Sequence, residues 1–149
     1  MTTASTDRHP GVTITRTFDA PRALVFAAWT DPVRLVRRWG PASCNGTSAT
    51  IDLRPGGAWR AGMQSPGDAE NWAHGVYREV VPVKRLAMTF AWEGTDALET
   101  LITMTFEEDG DGTRMTFDHG PFESTGSRDG HHEGWNQSFD KLANYLART

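Results

Sequence analysis

Cysteine is almost absent: Cys44 is the single one in 149 residues, which excludes an internal disulfide and fits a reducing compartment. No apolar run approaches the roughly 20 residues that span a bilayer, so no membrane insertion is expected. The polar opening MTTASTDRHPG lacks the hydrophobic segment of a secretory signal. Positive charge is not in excess either. A formal net charge of −4 leaves no dense basic surface for nucleic acid, and no nucleic-acid partner is expected. The one basic cluster, Arg34, Arg37 and Arg38, sits on a short predicted helix and reads as a solvated face. There is no Cys-x-x-Cys pair and no His-x-x-x-His; His131 and His132 are adjacent and diverge by about 100° on a helix. Nucleophile motifs of the Gly-x-Ser-x-Gly type, phosphate-binding glycine loops and dinucleotide fingerprints are missing too. No metal, cofactor or catalytic set is therefore expected. With no repeat or interdomain linker, the chain reads as a loose tail over residues 1–10 and one soluble, cytoplasmic domain over residues 11–149.

What is present is a clear succession of periodicities. Val12, Ile14 and Phe18 alternate with threonines, a β-branched pattern that predicts a first strand. Asp19-Ala20-Pro21 ends it, and Pro21 suits the first turn of a helix whose apolar face is Leu24, Val25, Ala28 and Trp29. Asp31-Pro32 starts a second short helix with inner face Leu35, Val36 and Trp39, ended by Gly40-Pro41. Six strands follow, predicted at Thr47–Leu53, Ala58–Met63, Trp72–Val81, Leu86–Trp92, Thr100–Glu108 and Arg114–Asp118, with turn-rich links that force antiparallel neighbours. The inward face of Trp72–Val81 stays open, because Tyr77/Val81 and Val76/Val80 are both apolar. Helical spacing returns from about Ser127 to Ala147, where Trp135, Phe139, Leu142 and Leu146 form one stripe. The simplest packing lays that helix across the concave side of the sheet.

A helix crossing a twisted sheet leaves a cavity toward one end, and such cavities are mostly apolar with a few polar anchors. Trp59, Trp72, Trp92 and Trp135 are placed to line it and would suit a flat or greasy ligand. His131 and Arg128 lie four and seven residues before Trp135, on the same helical face, where they would stand at the cavity mouth. Gly130 and Gly134 weaken the helix by roughly 1 kcal/mol each; close helix–sheet approach or room for a ligand would explain them. His74, Glu79, Asp118 and His119 lie on predicted strands, and one or two of them could point inward.

Four stretches in order carry a family resemblance: DPVRLVRRWGP (Asp31–Pro41), IDLRPGGAWR (Ile51–Arg60), GVYREVVPVKRL (Gly75–Leu86) and GHHEGW (Gly130–Trp135). Together they resemble the Hsp90-ATPase-activator-like family of the START/Bet v 1 superfamily, over about Gly11 to Leu146. The resemblance implies an α+β helix-grip fold: a strongly curved antiparallel sheet of about seven strands wrapped on a long C-terminal helix, with two short helices after the first strand. It also matches His131 to the family's Gly-His-x-x-Gly-Trp helix opening. Binding or sensing of a small apolar or aromatic molecule, without catalysis, is the leading expectation. A cyclase- or aromatase-like enzyme, as among relatives of this fold, is the second. A chaperone-interacting role is the third and least expected, since these residues hold one domain without the activator's additional N-terminal domain. A homodimer, through a sheet edge or through the surface of the short helices, is expected in preference to a monomer.

Overall fold

The computed structural model describes residues 10–95 and 98–148. All of the expected tail but Pro10 lies outside the described residues. In chain order the elements are β1 (Val12–Phe18), α1 (Arg22–Thr30), α2 (Pro32–Arg38), β2 (Asn45–Ile51), β3 (Ala58–Gln64), β4 (Asn71–Val81), β5 (Arg85–Trp92), β6 (Thr100–Asp109), β7 (Gly112–Gly120) and α3 (Thr125–Ala147). The seven strands form one curled antiparallel sheet in the order β1-β7-β6-β5-β4-β3-β2, so β2 to β7 are a meander and the first strand returns to pair with the last. With α3 across its concave face, this is the helix-grip fold. No described helix is long and apolar enough to cross a membrane.

Local chemistry sets the boundaries. Asp31 caps α2 by accepting from the Val33 N–H at 3.0 Å, with Pro32 at the first helical position. Pro21 sits one place earlier than expected, as the residue before α1, where its carbonyl accepts from Leu24 and Val25. The long helix also starts earlier, because the Ser124 hydroxyl accepts from the Ser127 N–H at 3.0 Å. On β4 both apolar registers are used. A bulge between Tyr77 and Glu79 switches the parity, so Tyr77 is buried before it and Val80 packs against the core after it, while Val76 and Val81 face out.

The core runs along the helix stripe. Trp135, Phe139, Leu142 and Leu146 are buried against Trp29, Phe106, Phe117 and their neighbours. Phe139 stacks on Trp135 and meets Phe117 and Trp29 edge-on, at ring separations between 5.0 and 6.1 Å. Lys141, off the stripe, turns its ammonium onto the carbonyls of Trp39, Pro41 and Cys44 and so ties the loop after α2 to α3. One expectation is corrected here. Arg37 is exposed, but Arg38 of the same basic cluster is fully buried, because the last turn of α2 carries it under the fold and over the Trp29 ring, 4.1 Å from the guanidinium carbon.

A candidate ligand cavity between the long helix and the sheet

Toward the N-terminal half of α3 the packing opens into a cavity of about 370 Å³. The helix contributes Gly126, Ser127, Gly130, His131, Gly134, Trp135 and Ser138; the sheet contributes Met63, Phe90 and Trp92; the loop after α2 contributes Trp39, Gly40 and Pro41. Its position follows from side-chain size. A Cβ placed on Gly130 or Gly134 would meet nothing within 4 Å, so these glycines leave room and are not sites of close helix–sheet approach. A larger concavity of about 1050 Å³ lies outside, between α2 and α3, but Asp31, Arg34, Arg37, Lys141, Asn144 and Arg148 on its walls make it an open polar groove.

The aromatic wall is held in place by two neutral histidines. The Trp135 indole N–H, 3.0 Å from His119 Nδ1, can only donate, so the proton of His119 sits on Nε2. That N–H donates to the Thr100 hydroxyl at 2.7 Å, and the hydroxyl donates in turn to the Phe90 carbonyl at 3.0 Å. His119 is 1% exposed, and burial above all pushes its pKa down to about 3. The second histidine repeats the logic with the tautomer reversed. Trp92 Nε1–H donates to His131 Nε2 at 3.0 Å, leaving the His131 Nδ1–H to donate to the Ser127 carbonyl at 2.8 Å. Phe122 stacks on the His131 ring at 4.4 Å. Both imidazoles therefore orient tryptophans, and His131 presents its ring to the cavity with both nitrogens occupied.

Of the six site residues expected from sequence, the structure brings Trp92, His131 and Trp135 together on the cavity wall. Trp59 stands behind that wall, 2% exposed, meeting Trp39 and Phe90 and donating to the Thr89 carbonyl at 3.0 Å. Trp72 does not join them: its place in the β4 alternation puts it on the outer face, where the Arg60 guanidinium covers its ring at 3.8 Å and pairs with Glu93 at 2.8 Å. Arg128 is also apart, 3.1 Å from the Asp129 carboxylate and not on the cavity wall. His74, Glu79 and Asp118 face outward to Glu93, Arg85 and Thr13; among the polar strand candidates only His119 turns in. Sequence reasoning missed Trp39, Met63, Phe90 and Ser138 as wall residues. Phe90 was legible as an inward neighbour of Trp92, and Ser138 as a small residue three positions beyond Trp135. Among the described residues no group of three or more His, Cys, Asp or Glu side chains converges as a metal site would require.

Residues 19–147 match the family model described as "Activator of Hsp90 ATPase homolog 1-like protein". No curated protein matches the chain at a significant level. Among solved structures, the AHSA1 protein of Silicibacter pomeroyi is 26% identical with a TM-score of 0.82, over 93% of this chain and 98% of that one. CalU16 from Micromonospora echinospora is 26% identical with a TM-score of 0.70, over 91% of this chain and 75% of its own. A protein from Arthrobacter aurescens shares the fold at a TM-score of 0.83 and 24% identity, over 93% of this chain and 87% of that one.

Proposed function

The chain belongs to the family of activator of Hsp90 ATPase homolog 1-like proteins, and from that premise we propose that it binds a small apolar or aromatic molecule in the cavity between α3 and the sheet, without transforming it. The observation that carries this reading is the composition of the wall. Aromatic rings, Met63 and glycine backbone dominate it, and none of the lining residues is a carboxylate. The one titratable lining side chain, His131, already uses both nitrogens within the protein, so no acid/base pair faces the cavity. A rigid aromatic wall supplies contact area at little cost in conformational entropy, which suits carriage or sensing. The size lies at the lower end of the range for small-molecule pockets. A cytoplasmic location belongs to the same reading and is supported by the single free thiol, Cys44.

Native mass spectrometry of protein purified without denaturation tests the proposal. The expected result is a released apolar compound of small mass, bound one per chain and replaceable by an added aromatic probe. Protein that neither carries such a compound nor saturates with naphthalene would overturn it.

A further inference from the structure

Arg38 closes α2 and is the one fully charged side chain in the buried class among the described residues, at 0% exposure. None of its three guanidinium nitrogens has a hydrogen-bond partner. The Trp29 ring beneath it favours a cation but accepts none of its in-plane N–H groups. A guanidinium keeps five donors and its charge, so removing it from water without acceptors is a loss that a well-placed carboxylate would offset. Its pKa is pushed down to about 9 by burial alone, the mark of a cation with no counter-ion beside it.

The unpaired donors are grouped. Trp29 Nε1, Trp39 Nε1 and Ser138 Oγ are buried without partners as well, and Trp39 and Ser138 belong to residues that line the cavity. Lys141, one turn beyond Ser138 on α3, adds a second cation to this corner. It contacts neutral carbonyls, and its pKa is lowered by burial first and by the charge of Arg38 as well. Positive charge and unused donors thus collect at the α2 end of the cavity, whose lining holds no carboxylate. Arg38 is not itself on the cavity surface. It adjoins it through Trp39, in a wall that continues through Gly40, whose φ of +88° gives the loop a sharp bend, and Pro41.

We propose that the ligand of this cavity carries a carboxylate on its apolar body and that Arg38, reached past Trp39 and Ser138, is the residue that selects it. This rests on the carrier reading above and adds the chemical class of the ligand. In it the apolar body lies along Trp92, Phe90 and Trp135, and the anion supplies the acceptors that the buried guanidinium lacks.

Matched probes separate the two claims. Binding of 2-naphthoate and of neutral 2-naphthamide is measured by quenching of tryptophan fluorescence at pH 7, with decanoate and decanol as an aliphatic pair, on the wild-type chain and on Arg38→Met. The wild type should prefer the acid over its neutral partner by about tenfold or more, the usual gain from a charge-assisted hydrogen bond. Arg38→Met should bind both members of a pair alike and melt no lower than the wild type, since it removes an uncompensated buried charge. The pair with the larger ratio identifies an aromatic or an aliphatic acid. Equal binding of acid and neutral partner by the wild type would overturn the anion claim and leave the carrier reading standing. A preference that survives in Arg38→Met would also overturn it, by assigning the anion to another group. If no probe binds, the carrier reading falls and this claim with it. Should Arg38→Met not fold, the wild-type ratio still decides, and Arg38→Lys should reduce it by losing the planar fork.

Discussion

The two halves of α3 lie against the same curled sheet and do opposite things. From Phe139 to Leu146 the inward positions carry large apolar side chains, and helix and sheet meet in a solid layer. From Gly126 to Gly134 the inward positions are glycine, serine and histidine, and a cavity of about 370 Å³ remains. Trp135 is the boundary: it is buried on Trp29, Phe117 and Phe139 on one side and lines the cavity on the other. One helix therefore divides its work by side-chain volume. The second half stabilises the fold, and the first gives up packing and helix propensity for space.

The difference is broken most forcefully from the solid side. Phe139→Ala should destabilise the protein by about 3–5 kcal/mol in urea titration, as a deep core truncation does. Probe affinity measured well below the unfolding midpoint should stay within about twofold, because contacts on the cavity side remain.

Acid should weaken the boundary next. His119 has its folded pKa depressed from 6.5 to about 3, so its contribution is complete above about 6.5 and is lost as pH falls toward 3. Between pH 6.5 and 4.5 this one group should remove about 2–3 kcal/mol of stability. His119→Phe should flatten that part of the profile, which isolates the histidine from carboxylates titrating in the same range. Equal slopes for both chains would show that folded and unfolded protein bind the His119 proton alike, so that its pKa is not depressed by burial.

The open half should respond in the other direction. Gly130→Ala and Gly134→Ala should each stabilise the protein by about 0.5–1 kcal/mol through helix propensity, since an added methyl meets nothing at either position. Each should also lower probe affinity by intruding on the cavity. Destabilisation by either would mean that the helix backbone lies closer to the sheet than the structure has it.

Much of this was readable in the sequence, and the exceptions have physical causes. The stripe from Trp135 to Leu146 and the alternation of Ile102, Met104 and Phe106 are strong periodic signals, and they place the helix, the sheet and the buried face directly. The position of Trp92, His131 and Trp135 on the cavity wall was readable because a helix face and a strand face each fix direction. That of Trp72 was not, because β4 is apolar on both faces and its bulge is a three-dimensional event that composition does not record. Arg38 read as solvent-facing beside Arg34 and Arg37, since charge on a short helix ordinarily points to water. Only the packing of α2 against Trp29 reveals it as buried. The role of His119 was hidden because its partners, Trp135 and Thr100, are far from it in sequence or on a neighbouring strand.

Filling the open half tests the whole account most directly. Gly134→Leu places an isobutyl group where the structure has free space on the cavity wall, without touching the solid half. Titrated with naphthalene by tryptophan fluorescence, the wild type should saturate at one molecule per chain, and Gly134→Leu should bind at least about tenfold more weakly while melting within a few degrees of it. Undiminished binding by a folded Gly134→Leu chain would contradict the account, because the ligand would then lie somewhere other than between this helix and this sheet.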